Sequence, residues 1–202
     1  TDQVESFGID ECYLDVTGST HLFGSGEEIA HALRHRVRQE VGLTISVGVS
    51  FNKVFAKLGS DMKKPDAVTT IPREAFKEKI WHLPCGEMLG IGPRTAQRLG
   101  EYGITTIGDV ARAEERVLEN LLGKQGRAVW RYANGEDQSP VARFTDCDPP
   151  KSIGHGLPTA EDLTDKPQVW ELIPWLAPDD AYGLRAAGLS ASGRSVSVRH
   201  NK

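Results

Sequence analysis

Two breaks in composition divide the chain, and the three segments between them differ in the periodicity of their apolar residues. The first break, at residues 81–86, interrupts a charged helical stretch. The second, at residues 146–151, is a polar joint with two adjacent prolines, which is typical of a linker. The segments have about 81, 67 and 54 residues. The pattern therefore predicts more than one folded body in a chain of 202 residues.

The first segment alternates between strand and helix patterns. Apolar residues recur every second position in the predicted strands and every fourth position in the predicted helix at residues 26–41. This helix is expected to bury one stripe through Val41, and Ser50 is expected to cap the next helix. The predicted strands are residues 4–9, 12–16, 44–49 and 67–71. This order predicts an α+β fold, a sheet with helices on one face.

The second segment has no β character, and the third is mixed. The second is predicted to form short helices at residues 93–102, 107–112, 114–122 and 126–134. The third contains a strand-like alternation at residues 195–199. Trp130, Trp170 and Trp175 lie in helical patterns and are predicted to pack in hydrophobic cores.

Two adjacent carboxylates, Asp10 and Glu11, lie between the first two predicted strands. Neighbouring residues of a regular strand point to opposite faces, but a turn at residues 8–11 would let both carboxylates reach one point. A cation is the usual reason to hold two such charges together, and hard oxygen ligands suit Mg²⁺. The alternative is a polar hairpin turn, where Asp and Glu are common.

Lysines are concentrated just after the third predicted strand. Residues 51–64 contain Lys53, Lys57, Lys63 and Lys64 against one acid, Asp61, a local charge of +3. Lysine is a flexible point charge that suits a polyphosphate, whereas the alternative is a solvated helix face. Pro65 follows Lys64 and is expected to hold that lysine in a turn.

A glycine hairpin, Gly90-Ile91-Gly92, precedes a helix opened by Pro93 and predicts a helix-hairpin-helix. Glycine allows the tight turn and leaves no side chain between backbone and ligand. Free N–H groups at the helix start can bind a phosphate oxygen, so the hairpin would hold a duplex by its backbone. Arg94, Thr95 and Arg98 lie on the first turns of that helix. The alternative is an ordinary helical corner.

Composition excludes several classes of protein. The 24 basic and 28 acidic residues give a net charge of −4, which argues against coating nucleic acid by bulk charge. No apolar run approaches the roughly 18 residues needed to cross a bilayer. Cys12, Cys85 and Cys147 are far apart, so a disulfide framework or zinc site is not expected, and a reducing cytoplasm fits. Cys12 is expected to be a small buried residue.

In this order, the motifs resemble the Y-family translesion DNA polymerases, in particular the DNA polymerase IV (DinB-type) group. The carboxylate stretch is similar to the family's S-I-D-E-x-x-L-D element, with Gly8 in place of its serine. The lysine stretch is similar to its G-V-S-x-N-K-x-x-A-K and D-M-x-K-P elements. The matching stretches are residues 6–17, 48–65, 89–99, 103–111 and 151–154.

The resemblance implies three domains and a role for each motif. Residues 1–81 would be the later part of the palm, residues 82–148 the thumb, and residues 151–202 the first part of an α/β little finger. Asp10 and Glu11 would bind two Mg²⁺ ions, and Lys64 would contact the triphosphate of the incoming dNTP. The hairpin would hold the duplex backbone through Gly90, Ile91, Gly92, Arg94 and Thr95. Lys151 and Ser152 would open a little-finger strand along template phosphates.

The resemblance also implies parts that this sequence lacks. The family's first catalytic aspartate, its steric-gate aromatic residue and its fingers domain are expected upstream of Thr1. The rest of the little finger and a segment that binds a sliding clamp are expected beyond Lys202.

The function implied is template-directed nucleotidyl transfer on primer–template DNA, in DNA repair and damage bypass. The protein is expected in the bacterial cytoplasm, at the nucleoid. One alternative is that these 202 residues bind DNA without sequence preference and catalyse nothing. Another is a helix-hairpin-helix nuclease or repair scaffold.

Overall fold

The computed structural model describes residues 1–146 and 150–199, which fall into two compact units that divide after Asp146. Cys147, within the predicted joint, lies outside the described residues. Residues 200–202, at the end of the predicted little finger, do so as well.

The first half of unit 1 alternates strands and helices, as the sequence predicts. Strands β1 and β2 pair antiparallel, with Glu5 opposite Tyr13, and β3 and β4 pair in parallel, with Val47 opposite Val68. Among the described residues these are two separate two-stranded sheets and not one continuous sheet. The elements are β1 (Val4–Ser6), β2 (Cys12–Leu14), α1 (Thr20–Phe23), α2 (Gly26–Glu40), β3 (Val47–Ser50), α3 (Lys53–Met62), β4 (Val68–Ile71) and α4 (Phe76–Ile80).

Two local details differ from the sequence prediction. Val41 lies just after the last residue of α2 and is 63% exposed, so the buried stripe ends earlier than expected. Ser50 does not cap α3: it is the last residue of β3, and its hydroxyl donates to the carbonyl of Ile71 at 2.7 Å. Asn52 caps α3 by accepting the N–H of Phe55, because its extended backbone turns its side chain towards the helix start.

Helix α3 packs against β3 with almost no space between the two backbones. A Cβ on Gly48 would overlap the carbonyl oxygen of Ala56, and a Cβ on Gly59 would lie 3.2 Å from the Cα of Gly48. The two glycines therefore allow the close approach that sets the position of α3 and its lysines.

The second half of unit 1 is helical, which confirms the prediction of four short helices. They are α5 (Pro93–Gly100), α6 (Ile107–Arg112), α7 (Glu115–Leu122) and α8 (Lys124–Ala133). One hydrophobic cluster joins both halves, with Phe55 and Ile80 from the first and Leu99 and Val129 from the second. Trp130 packs against this cluster, as expected. The palm–thumb boundary at residue 81 stays a prediction, because packing is continuous across it.

Unit 2 contains one long helix, α9 (Lys166–Ala186), and no strand within residues 150–199. The predicted strand at residues 195–199 is therefore wrong, since a strand needs a hydrogen-bonded neighbour to form a ladder. Trp170 and Trp175 are 73% and 74% exposed, so their predicted core positions are also wrong. Ile153 packs beside Gly183, and His155 pairs with Asp180 at 2.7 Å.

None of the helices within the described ranges, 1–146 and 150–199, combines the length and the apolar character that a transmembrane segment requires.

Candidate active site and nucleic-acid interface

The predicted carboxylate turn exists and connects β1 to β2. The N–H of Phe7 donates to the carbonyl of Glu11 at 2.8 Å and closes the turn. Gly8 has φ +85°, a conformation that few residues other than glycine adopt. Asp10 is exposed, and its carboxylate has no partner within the part of the chain that the structure describes. Glu11 is partly buried. The turn thus presents one free carboxylate and one that the protein already holds.

Glu11 is linked to Lys64 by a chain of ion pairs. Lys57 Nζ lies 2.7 Å from Glu11 Oε1 and 2.8 Å from Asp61 Oδ2. Asp61 Oδ1 in turn lies 2.7 Å from Lys64 Nζ. The structure therefore links the predicted metal ligand Glu11 to the predicted triphosphate ligand Lys64 through Lys57 and Asp61. The sequence motifs had predicted no function for Asp61.

Electrostatics keep the central pair charged. Burial lowers the pKa of Lys57, but the hydrogen bonds and charges of Asp61 and Glu11 outweigh it, so the net pKa is raised. Burial likewise raises the pKa of Asp61, and the two lysines beside it bring the net pKa below its usual value. Lys57 and Asp61 therefore both stay charged at neutral pH.

Lys53, one turn before Lys57, has a structural role. Its ammonium lies 2.9 Å from both carboxylate oxygens of Glu5 and 2.8 Å from the carbonyl of Pro140. Glu5 also accepts the N–H of Ala142, which with Lys53 lowers the pKa of Glu5. Lys53 and Lys57 are therefore not on the solvated helix face that the sequence offered as the alternative. Binding of a polyphosphate by this group of lysines stays a prediction. Among the described residues, Lys63 is the one lysine of the four without an acidic partner.

Helix α2 holds the turn that carries Lys64. Asp66, with φ +55°, accepts a hydrogen bond from Arg34 Nη1 at its carbonyl, at 2.6 Å. Its carboxylate pairs with Arg38 at 3.0 Å. No local sequence pattern indicates these contacts, because Arg34 and Arg38 lie about 30 residues before Asp66.

These groups surround one groove of about 610 Å³ between the β1–β2 hairpin, α2, β3 and α3. Asp10, Glu11, Lys57 and Lys64 all line it. This volume lies within the range of roughly 300–1,000 Å³ that is usual for small-molecule sites.

The donors present fit a magnesium ion in part. Asp10 and Glu11 supply hard carboxylate oxygens, which Mg²⁺ prefers, and Asp10 is open to solvent. No cluster of three or more His, Cys, Asp or Glu side chains suited to a metal occurs in residues 1–146 and 150–199. The pair therefore fits an ion that takes its other oxygens from a substrate or from further chain, as Mg²⁺ does when it bridges protein and phosphates.

The predicted hairpin is also present, and its first two residues have internal roles. Gly90 has φ +89°, and its carbonyl accepts from Gln125 Nε2 at 3.4 Å. Ile91 is 3% exposed, and its N–H already donates to Met88. The side chain of Ile91 therefore anchors the hairpin in the core and is not available to DNA.

Gly92 is different, because neither its backbone conformation nor any described neighbour requires a glycine there. Its φ is −79°, and a Cβ would meet no atom within 4 Å. The N–H groups of Gly92, Arg94 and Thr95 have no acceptor among the described residues. Arg94 and Arg98 are exposed and have no acidic partner in the described part of the chain. Together they form a surface on which a phosphate oxygen would be well bound.

Two remaining predictions concern exposed residues. Lys151 and Ser152 belong to unit 2 and are exposed, but they lie in irregular chain and do not begin a strand. Cys12 is exposed, which contradicts its predicted burial: β2 directs Tyr13 inward and leaves its neighbours outside.

Comparison with known proteins places these features in one family. Residues 1–61 match the model of the impB/mucB/samB family, and residues 73–104 match the model of the IMS family HHH motif. DNA polymerase IV of Acetivibrio thermocellus is 51% identical over 199 residues, which are 98% of this chain and 49% of that protein. DNA polymerase IV 2 of Bacillus subtilis is 36% identical over 204 residues, again 98% of this chain and 49% of that protein.

Solved structures of related polymerases match the same chain. The insertion ternary complex of Dbh DNA polymerase matches with a TM-score of 0.64 at 32% identity, over 69% of this chain and 41% of that chain. DinB from Sulfolobus solfataricus matches with a TM-score of 0.62 at 30% identity, over 69% and 42%. The chain belongs to the Y family, in its DinB-type group. The α+β fold class with a helix-hairpin-helix is thereby confirmed.

This DinB-type chain spans about half the length of the curated relatives it matches. The carboxylate turn and the helix residues Lys53, Lys57 and Asp61 lie within the first matched region, whereas Lys64 lies just beyond it. The glycine hairpin lies within the second matched region.

Proposed function

We propose that the protein carrying this chain is a DNA-directed DNA polymerase of the translesion type, acting in DNA repair and damage bypass. The observation that carries the proposal is the groove around which Asp10, Glu11 and Lys64 are gathered, with Glu11 and Lys64 joined by ion pairs. Similarity to proteins named DNA polymerase IV supports it and does not favour a binding module without catalysis.

The residues of the groove would divide the work of nucleotidyl transfer. Y-family polymerases need a divalent metal, and we propose two Mg²⁺ ions with Asp10 and Glu11 among their ligands. When bound, such ions activate the attacking hydroxyl and stabilise charge on the leaving group. Lys64, held by the turn that Arg34 and Arg38 clamp through Asp66, would place positive charge beside the triphosphate of the dNTP.

The helical half would hold primer–template DNA by its backbone. The N–H groups of Gly92, Arg94 and Thr95, which have no acceptor in the described part of the chain, would bind phosphate oxygens, with added charge from Arg98. Gly90 and Ile91 would shape the hairpin, and Lys151 and Ser152 would contact template phosphates. The palm, thumb and little-finger division, the sliding clamp as partner, and the cytoplasmic location at the nucleoid also belong to this proposal.

Primer extension tests the function. The protein that carries this chain is expected to add nucleotides to an annealed primer with Mg²⁺ and all four dNTPs, and to stop when the metal is chelated. Template-independent addition, or no addition with DNA binding intact, would contradict the proposal. Metal-dependent cleavage of the DNA that is lost in Asp10→Ala would point to a nuclease instead.

DNA binding by the hairpin gives a separate prediction. Gly92→Asp is expected to weaken binding roughly tenfold or more and to reduce the slope of log affinity against log salt by about 1, because the carboxylate repels phosphate. Aspartate is a favourable residue at a helix start, so the variant is expected to fold.

Gly100→Asp is the matched control, since a Cβ there also meets no atom within 4 Å and the residue ends the same helix. Fluorescence anisotropy at several salt concentrations measures both variants. Equal affinities for Gly92→Asp and wild type would remove the hairpin from the DNA interface.

A further inference from the structure

We propose that Lys57 is an exchangeable counter-ion of Glu11. While no metal is bound, Lys57 neutralises Glu11; when a metal binds at Asp10 and Glu11, Lys57 leaves Glu11 and pairs with Asp61 alone. The inference rests on the proposed function, because it assumes that these two carboxylates bind the metal. Lys57 is then a positioning residue, which acts through Glu11 and Asp61.

The geometry supplies both end states. One ammonium lies 2.7 Å from Glu11 and 2.8 Å from Asp61, so Lys57 can leave the first carboxylate without losing the second. The Lys57 side chain is only 19% exposed, and a buried ammonium without a partner would be costly. Asp61 removes that cost and makes the exchange possible.

Electrostatics make Lys57 and the metal competitors. A carboxylate oxygen at hydrogen-bond distance from an ammonium cannot also bind a dication without strong repulsion between the two cations, which grows as solvent is excluded. Asp10 has no such competitor among the described residues. A metal would therefore meet Asp10 without a competing cation, and to bind Glu11 through Oε1 it would have to displace Lys57.

The displacement has a consequence at Lys64. Asp61 holds Lys57 through one oxygen and Lys64 through the other, at 2.7 Å. When Lys57 pairs with Asp61 alone, it neutralises more of the Asp61 charge, and the attraction between Asp61 and Lys64 becomes weaker. Lys64 is 57% exposed and is then free to turn towards a triphosphate. Metal binding at the turn would thus prepare the nucleotide site.

Lys53, on the same helix, is the comparison for Lys57, because its ion pair with Glu5 does not involve the proposed metal ligands. It is 17% exposed, its three acceptors are both oxygens of Glu5 and the carbonyl of Pro140, and neither Asp10 nor Glu11 is among them. Lys53→Met therefore removes the same charge as Lys57→Met, one helical turn away, without touching the carboxylate turn.

Binding of Mn²⁺, followed by electron paramagnetic resonance in the protein that carries this chain, tests the inference. Lys57→Met is expected to bind Mn²⁺ roughly tenfold more tightly than wild type or better, because the competing cation is gone. Lys53→Met is expected to show no comparable gain. Wild-type affinity in Lys57→Met, or an equal gain in both variants, would overturn the inference.

Two more variants separate this inference from the proposed function. Asp10→Asn and Glu11→Gln should each weaken Mn²⁺ binding. If neither does, the metal site itself is wrong. If both do while Lys57→Met binds as wild type does, only the role of Lys57 is wrong.

A second measurement needs no lysine variant and applies if Lys57→Met fails to fold by circular dichroism. The side-chain NMR signals of Lys57 are expected to shift when Mg²⁺ is added to wild type and to stay constant in Glu11→Gln. Unchanged Lys57 signals in wild type, at Mg²⁺ concentrations that saturate the site, would overturn the inference.

Discussion

Asp10→Asn is expected to lower nucleotide incorporation by the protein that carries this chain roughly a thousandfold or more, a loss of about 4 kcal/mol in transition-state stabilisation. Asp10 lies on an exposed turn and has no partner in the described part of the chain. Its carboxylate therefore makes no contact within the described residues that stabilises the fold, and replacing it by an amide is not expected to change stability. What the substitution removes is a charged oxygen directed at the groove, where a metal ligand is proposed.

Single-turnover incorporation with saturating DNA and dNTP measures this effect on the chemical step. Glu74→Gln is the matched control, since Glu74 is exposed, has no acidic or basic partner among the described residues and does not line the groove. It should incorporate nucleotides as wild type does. Activity of Asp10→Asn within tenfold of wild type would exclude Asp10 as a metal ligand.

Gly48→Ala is expected to destabilise unit 1 by about 3 kcal/mol or more, at or above the upper end of what overpacking usually costs. The added Cβ would overlap the Ala56 carbonyl and would lie 2.6 Å from the Ser60 backbone nitrogen. Both are backbone atoms of a helix, so no side-chain rotation relieves the overlap. Either α3 moves away from β3, or the unit unfolds more readily.

Urea denaturation followed by circular dichroism measures this loss as a lower midpoint. Gly18→Ala is the control, because the same added methyl group meets no atom within 4 Å there. Gly18→Ala should unfold as wild type does. A midpoint for Gly48→Ala equal to wild type would mean that β3 and α3 are not packed as closely as described.

The sequence predicted the features that depend on near neighbours in the chain. The carboxylate turn forms because glycine at position 8 permits its backbone conformation and the flanking residues pair. The four short helices of the second segment appear within two residues of their predicted ends, since caps and apolar spacing are local signals. The prediction of a helix-hairpin-helix was confirmed for the same reason.

Two differences from the sequence predictions, the paired lysines and the missing last strand, depend on partners far away in the chain. The excess of three positive charges at residues 51–64 falls to one, because Lys53 pairs with Glu5, 48 residues away, and Lys57 pairs with Glu11, 46 residues away. Residues 195–199 have the right alternation for a strand but no hydrogen-bonded strand neighbour among the described residues. The i,i+4 spacing of Lys57 and Asp61 and the i,i+3 spacing of Asp61 and Lys64 are local signals that predict two of the three ion pairs between Glu11 and Lys64.

The sequence by itself determined the family resemblance and the α+β class and supplied the candidate groups for chemistry, because short motifs and local backbone preferences are encoded within a few residues. Only the tertiary structure decided which charges are free to meet a ligand. Close packing of α3 on Gly48 brings Lys53 and Lys57 to carboxylates of the β1–β2 hairpin and leaves Asp10 open. Charge pairing depends on distance in space and not on separation in sequence. Lys57 therefore contacts both Asp61, on its own helix, and Glu11, in a turn more than forty residues earlier.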